Sequence, residues 1–287
     1  MNILLTGGTG YIGSKILDQL TARGDTVTAL VRSEEAAARV AEAGATPVQG
    51  DLRDLDWLSA QLGQVDAAIH TAAASDPSED AVTDQIVAQA VVSTFGGTTK
   101  PYVHTSGIWI WGDGSDLTEN LPRNPPAQTA WRLPIEESLL SSDVAVTVLA
   151  PGIVYGYGSA IPALVTSGPR TDSGALALVG SGDQHWTTVH VDDLAGLYLA
   201  VLEAGSGLGY LIGVSGSNPT VRELGEAWGS GQVEPEDPAA TRARLGEGFA
   251  DALMLDQQAA GDKARSLGWT PSRPTLVEEF RSGSYAP

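Results

Sequence analysis

The sequence has no cysteine and few basic residues, and each shortage excludes a class of protein. Without cysteine there can be no disulfide, no thiolate metal ligand and no cysteine nucleophile. Lys and Arg number 16 against 35 Asp and Glu, which gives a formal net charge of −19 at pH 7. A chain this acidic repels a phosphate backbone. We therefore expect neither a nucleic-acid partner nor an anionic membrane partner.

Long apolar runs and metal-ligand spacings are also lacking. No window approaches the roughly 20 apolar residues that a membrane-spanning helix needs. The first predicted strand starts at Asn2, so we expect no signal peptide and, by default, a cytoplasmic location. The four histidines, at positions 70, 104, 185 and 190, show no ligand spacing. We therefore predict no metal site.

What the chain does have is a regular alternation of β-rich and helical patterns over its first 150 residues. An apolar run at 3–5 precedes a glycine turn and a helical face, and a similar unit follows at 26–43. Further strands are predicted at 46–49, 65–70, 101–105 and 144–149, and helices near 54–62, 80–95 and 132–142. This alternation predicts an α/β fold of the Rossmann type, a doubly wound parallel sheet with helices on both faces.

The first glycine turn has the spacing of a phosphate-binding loop. The segment TGGTGYIG at 6–13 follows a predicted strand and opens a predicted helix. Gly7 allows a tight turn, Gly10 lets the backbone approach a pyrophosphate, and Gly13 lets the helix pack close to the strand. The N-terminus of the helix would supply free amides to the phosphates. A glycine-rich turn in a protein that binds no nucleotide is the alternative interpretation.

Beyond Pro151 the regular alternation is lost, because segments rich in Gly, Ser and Pro interrupt it. We predict a dinucleotide-binding domain over 1–154, to which a helical segment at about 188–204 returns. The remaining segments, 155–187 and 209–287, are predicted to form a smaller substrate-binding lobe.

Several motifs along the chain together resemble those of the extended and atypical short-chain dehydrogenase/reductase family, which contains NAD-dependent epimerases and dehydratases. They are TGGTGYIG at 6–13, GDLRD at 50–54, HTAAA at 70–74, YVHTSG at 102–107, PGIVYG at 151–156 and VHVDDLA at 189–195. The resemblance implies that Asp51 and Leu52 flank the adenine and that 71–73 follow the ribose and diphosphate. It places 151–154 near the nicotinamide. A turn-capping role is the alternative for Asp51.

The end of the second predicted strand bears on the choice of cofactor. An acidic residue there would bind the ribose hydroxyls of NAD, whereas a cation accommodates the 2′-phosphate of NADP. Val31 occupies this position and Arg32 follows it, so NADP is favoured and NAD remains possible. Arg32 could instead be solvated or stacked on adenine. The predicted cofactor-binding residues are Gly7, Thr9, Gly10, Tyr11, Ile12, Arg32, Asp51, Leu52, Thr71, Ala72, Ala73, Thr105, Pro151, Gly152, Ile153 and Val154.

The acid/base pair of the family is missing. Its members usually use a Tyr and a Lys four residues later, and only Tyr11 has such a Lys, inside the phosphate-loop helix. In the expected segment the two positions fall on Trp131 and Ile135. Two hydroxyls are therefore predicted as catalytic: Ser106, whose alternative role is to bind backbone at a strand end, and, as second choice, Tyr155.

Aromatic residues cluster in the segments that should surround the nicotinamide. Trp buries a large area and suits the wall of a pocket for a flat apolar substrate, although packing in the core explains any single one equally well. His185 lies in a Gly/Asp-rich loop, where it could equally be a turn residue. The predicted substrate-binding residues are Trp109, Trp111, Trp131, Tyr157, His185 and Trp186.

These features lead to one principal hypothesis and two alternatives. The first is an NADP-dependent oxidoreductase that reduces a carbonyl, imine or activated alkene of a small hydrophobic molecule. The alternatives are an enzyme of the nucleotide-sugar epimerase/dehydratase type and a non-catalytic NADP(H) sensor. The resemblance further implies a possible homodimer through the helices around 80–95 and 132–142.

Overall fold

The computed structural model describes residues 1–73, 79–228 and 232–287. Ala74, the last residue of the HTAAA motif, lies outside these ranges. Strands and helices alternate through the first half of the chain, as predicted. In order they are β1 (Asn2–Thr6), α1 (Tyr11–Arg23), β2 (Thr26–Val31), α2 (Glu34–Glu42), β3 (Thr46–Gln49), α3 (Leu55–Leu62), β4 (Ala67–His70), α4 (Asp80–Phe95), β5 (Pro101–Thr105), α5 (Arg132–Leu140) and β6 (Ala145–Pro151).

A seven-stranded parallel sheet forms the centre of the molecule. Its order is β3-β2-β1-β4-β5-β6 followed by β10 (Gly209–Gly213), which pairs with β6. The sequence-based division placed all of 209–287 in the lobe, and for β10 this was wrong. The sequence of this five-residue strand, which begins and ends with glycine, does not indicate which strand it pairs with. The free edge of β6 determines the pairing.

Helices cover both faces of the sheet, as the alternation predicted. On one face α1 packs against α7 (Val191–Ala204), so the helical part of the segment predicted at about 188–204 lies on the main sheet, whereas 188–190 form a strand of the lobe. On the other face, α3, α4 and α5 pack over Leu4, Tyr102 and Val148. Burial of these apolar faces is the main force that holds the layers together.

The rest of the chain forms a lobe at the carboxyl ends of the strands. Its apolar core contains Tyr155, Leu178, Trp186 and Phe280. No helix in the described ranges is long and apolar enough to cross a membrane. The elements of the lobe are β7 (Ile153–Tyr155), α6 (Ala163–Thr166), β8 (Leu176–Ala177), β9 (Thr188–His190), α8 (Val221–Ala227), β11 (Val233–Glu234), α9 (Pro238–Leu245), α10 (Glu247–Leu253), α11 (Asp262–Arg265) and α12 (Leu276–Ser282).

Candidate cofactor and substrate site

The glycine loop between β1 and α1 has the close contacts that its spacing predicted. Gly7 has φ +75°, and a Cβ there would lie 2.7 Å from the backbone nitrogen of Ala72. A Cβ on Gly13 would overlap the carbonyl group of Gly7. Gly10 precedes the first turn of α1 and has no side chain to cap it, so the first helical amides are available to an anion.

A cavity of about 860 Å³ opens beside this loop, at the carboxyl ends of β1, β2 and β4. In an open parallel sheet this is where a dinucleotide binds. The cavity brings together most of the predicted cofactor residues, namely Gly7, Thr9, Gly10, Tyr11, Ile12, Arg32, Asp51, Leu52, Thr71, Ala72 and Ala73.

Three arginines are among the residues that line the cavity: Arg32, Arg39 and Arg53. The Arg53 side chain pairs with Asp51 and with Glu79, each at 3.3 Å. The amide and guanidinium of Arg53 hold the pKa of Asp51 below its usual range. Asp51 thus caps a turn, which was the alternative to its predicted role beside the adenine. Its exposed side chain also lines the cavity. Arg39, on α2, was missed by the sequence analysis because nothing in its local pattern separates it from a solvated helix residue.

The remaining predicted cofactor residues lie outside this cavity, at the ends of β5 and β6. The Thr105 hydroxyl is 2.6 Å from the Tyr198 hydroxyl. Pro151, Gly152 and Ile153 are buried and Val154 is half-buried. Gly152 lies so close to the Thr187 carbonyl that a side chain would not fit.

The backbone at the end of β5 is open on one side. A Cβ on Gly107 would meet no atom within 4 Å, and its φ of −162° is extended backbone that any residue adopts. Trp131 and Ile135, which the sequence analysis placed at the positions of the Tyr and Lys, have no acidic group. Trp131 donates from its indole nitrogen to the Gln128 carbonyl at 3.1 Å, and Ile135 is buried.

The four predicted tryptophans do not form one pocket wall. Trp111 and Trp186 are each 2 % exposed, and they pack in two different cores. This corrects the prediction that these two contact substrate. Trp109 packs edge-on against Phe249, and Trp131 lies under the Arg132 guanidinium. Within the described part of the chain, none of these rings lines the 860 Å³ cavity.

The other predicted substrate and catalytic residues are likewise occupied by local contacts. Tyr155 is 1 % exposed and donates from its hydroxyl to the Pro274 carbonyl at 2.7 Å. This buried hydroxyl, already engaged within the lobe, corrects the assignment of Tyr155 as a proton donor, and burial also raises its pKa. Tyr157 is exposed and donates to Asp192 at 2.8 Å. His185 lies 2.8 Å from the Asp256 carboxylate in a loop.

Ser106 is turned toward α5, where it faces a carboxyl group that the sequence analysis missed. Glu136 is fully buried and accepts from the Tyr210 hydroxyl at 3.0 Å. Burial raises the pKa of Glu136, and the Ser106 and Tyr210 hydroxyls oppose that rise in part. Neither Ser106 Oγ nor Glu136 Oε1 has a partner with good hydrogen-bond geometry among the described residues. The catalytic role of Ser106 stays a prediction.

A second buried polar group joins the strand ends beneath the cofactor cavity. Thr6 Oγ1 lies 2.8 Å from His70 Nδ1, and His70 Nε2 lies 3.1 Å from Asp84. Arg132 and His104 each approach the same carboxylate to 3.6 Å. Burial alone would raise the pKa of Asp84, but the His70 hydrogen bond and the neighbouring positive charge lower it. Burial also lowers the pKa of His104 to about 3, so that imidazole is neutral at pH 7.

The cavity contains no cluster that suggests a metal. Among the described residues, no group of three or more His, Asp or Glu is arranged to hold a metal ion. A parallel sheet, a glycine loop against a helix N-terminus and a cavity at the strand ends together define a dinucleotide-binding Rossmann protein.

Comparisons with known proteins identify the family. A family model described as NAD(P)H-binding matches residues 7–204. An uncharacterized protein of Schizosaccharomyces pombe is 30% identical over 99% of this chain and 100% of its own length. The 2-alkyl-3-oxoalkanoate reductase of Stenotrophomonas maltophilia is 28% identical over 71% of this chain and 66% of that protein. This chain therefore belongs to the NAD(P)H-binding family.

The fold is that of the extended short-chain dehydrogenase/reductases. The crystal structure of the human epimerase family protein SDR39U1 with NADPH superposes with a TM-score of 0.77, covers 99% of both chains and shares 23% identity. The resemblance stated from the motifs is thereby confirmed for the fold, and the NAD(P)H-binding family model confirms the predicted class of cofactor.

Proposed function

We propose that this chain is an NADP-dependent oxidoreductase that reduces a carbonyl, imine or activated alkene of a small hydrophobic molecule. The observation that carries the proposal is the charge at the adenosine end of the cavity. There the strand end presents Val31 and Arg32 where a carboxylate would favour NAD, and Arg39 lines the same cavity. A 2′-phosphate is a dianion that planar guanidiniums bind well.

The chain's own residues would orient the cofactor and shape the site. The first turn of α1 would bind the diphosphate, while 71–73 would line the path of the adjoining ribose. When bound, NADPH supplies the hydride. The open space at Gly107 leaves room for the acceptor at the strand ends, and surrounding lobe residues would exclude water.

Reduction fits this chain better than epimerisation or dehydration of a nucleotide sugar. Those reactions depend strongly on a Tyr-Lys pair to shuttle protons, and the chain has Trp131 and Ile135 at these positions. A reduction needs a single proton, which water or the substrate can provide. The reductase named among the relatives supports the same choice.

A non-catalytic NADP(H) sensor is the second candidate. It is favoured by the burial of Trp111 and Trp186, which removes two members of the expected aromatic pocket. A sensor would bind NADPH without turning over any acceptor. A panel of carbonyl, imine and enone compounds, followed by oxidation of NADPH, separates the two candidates.

The test of the cofactor proposal is calorimetric titration of the cofactor-stripped protein with NADPH and NADH. We expect NADPH to bind about tenfold or more tightly, a difference of about 1.4 kcal/mol, and Arg32→Ala to remove most of it. Arg242→Ala is the control, since Arg242 lies on α9 and pairs with Asp251 far along the chain. If neither nucleotide binds, both the oxidoreductase and the sensor are excluded.

A further inference from the structure

Arg39 reaches from α2 across the mouth of the cofactor cavity to the phosphate loop. Its guanidinium Nη2 donates to the Thr9 carbonyl at 3.1 Å. Thr9 lies inside the glycine turn, and both residues line the cavity. The Arg39 guanidinium therefore lies at the phosphate loop, in the cavity that Arg32 lines from the end of β2, and an arginine near this strand end can accommodate a 2′-phosphate.

The contacts of Arg39 differ from those of Arg53 in the same cavity. Arg53 is paired with two carboxylates, Asp51 and Glu79. Arg39 instead donates to a neutral carbonyl oxygen, which does not cancel its charge. An arginine held by one neutral acceptor can exchange that acceptor for a phosphate oxygen and gain a charge-assisted hydrogen bond.

The surroundings of Arg39 add both favourable and opposing groups. Ser33 caps α2 by accepting from the Ala36 amide, which leaves its hydroxyl hydrogen free to donate. Arg32 lies on the same wall. Glu35, one turn before Arg39 on α2, also lines the cavity and would repel a phosphate dianion.

We infer that Arg39 is a specificity-determining residue that binds the 2′-phosphate of NADP, exchanging the Thr9 carbonyl for a phosphate oxygen when the cofactor enters. The inference rests on the proposed function, since it requires NADP rather than NAD. It assigns the discrimination between NADP and NAD to two guanidinium groups from different elements, Arg32 at the end of β2 and Arg39 on α2. Recognition then depends on the position of α2 relative to the phosphate loop.

The test uses two adenosine nucleotides that differ only at the 2′ position, 2′,5′-ADP and 5′-AMP, titrated calorimetrically against the full-length protein. This readout needs neither nicotinamide nor turnover. We expect Arg39→Ala to weaken the binding of 2′,5′-ADP about tenfold or more and to change the affinity for 5′-AMP less than about twofold. Arg39→Met, which keeps the apolar stem, should behave like Arg39→Ala. Glu35→Gln should strengthen the binding of 2′,5′-ADP and leave that of 5′-AMP unchanged.

The controls separate failure of this inference from failure of the proposed function. Arg242→Ala should bind both nucleotides like the wild type, and circular dichroism should show every variant folded. If Arg32→Ala weakens 2′,5′-ADP while both Arg39 variants match Arg242→Ala, the role of Arg39 is disproved and the NADP proposal survives. If the wild type does not prefer 2′,5′-ADP to 5′-AMP, the NADP proposal and the role of Arg39 fail together.

Discussion

His70 Nε2 lies 3.1 Å from the Asp84 carboxylate, and this contact ties the end of β4 to the body of α4. The other ring nitrogen, His70 Nδ1, lies 2.8 Å from the Thr6 hydroxyl oxygen, so one imidazole bridges Asp84 and Thr6. Thr6 directly precedes the phosphate loop, and His70 directly precedes Thr71. The buried carboxylate therefore holds together two strand ends that line the cofactor cavity.

Replacing Asp84 with Asn should destabilise the fold. The variant keeps the shape of the side chain but removes the charge that faces Arg132, and loss of one partner of a buried pair costs about 3 kcal/mol. Urea unfolding at neutral pH measures this change. Asp143→Asn, an exposed residue, should cost less than about 0.5 kcal/mol. Equal stability of the two variants would mean that Asp84 is not ionised or not paired in the folded protein.

Gly13→Ala should weaken nucleotide binding. The added methyl group overlaps the Gly7 carbonyl, so the phosphate loop must shift away from α1. We expect NADPH affinity to fall about tenfold or more in calorimetry. The matched control is Gly196→Ala in α7, where the new Cβ would make only ordinary contacts of 3.6 Å or longer. That control should gain up to about 1 kcal/mol of stability from helix propensity and bind NADPH normally.

The buried carboxyl of Glu136 should make the stability of the protein depend on pH. Its pKa is raised on folding, so the unfolded chain loses this proton first as the pH rises. The contribution of Glu136 is therefore most favourable at low pH and is lost as the pH rises from the unfolded pKa to the folded one. Glu136→Gln does not titrate, and it should be more stable relative to wild type at roughly pH 8 than at pH 5.

The groups facing this carboxyl are Tyr210 from β10, Arg132 from the same helix, Asp84 from α4 and the Ser106 hydroxyl. Urea unfolding at the two pH values gives the measurement, and the exposed neighbour Glu137, changed to Gln, is its control. A stability difference between Glu136→Gln and wild type that is the same at both pH values would contradict a raised pKa.

Gly107→Leu should test where the acceptor binds. The leucine would occupy the open space at the end of β5 without backbone strain. We expect kcat/KM for an acceptor found in the screen to fall about tenfold or more, with NADPH affinity changed less than about twofold. Gly63→Leu, at the exposed end of α3, controls for a surface leucine. Normal turnover by Gly107→Leu would place the substrate elsewhere.

Much of the cofactor half could be predicted because its signals are local. A tight turn, a close approach of helix and strand, and free amides at a helix start all depend on residues within the eight positions 6–13. The alternation of strand and helix patterns is likewise a local signal, because each element buries its own apolar face against the adjacent layer. The position of Arg32 beside the cavity could be predicted for the same reason, because it follows directly from the end of β2.

The side chains of the substrate half could not be placed this way. Trp111 and Trp186 are apolar enough for either a pocket or a core, and only packing against lobe elements far along the chain decides between them. Glu136 appears in the sequence as one of two adjacent glutamates on α5. Its burial follows from the pairing of β10 with β6, which brings Tyr210 to it from 74 residues away.

The sequence by itself determined the parallel α/β fold, the phosphate loop and the family, because each rests on short-range geometry or periodic burial. The tertiary structure alone decided that β10 completes the sheet, that Asp84 and His70 hold the ends of β1 and β4 together, and that Arg39 reaches the phosphate loop. Each of these relationships joins residues from separate elements, and their distances are set by packing of whole layers rather than by any local preference of the chain.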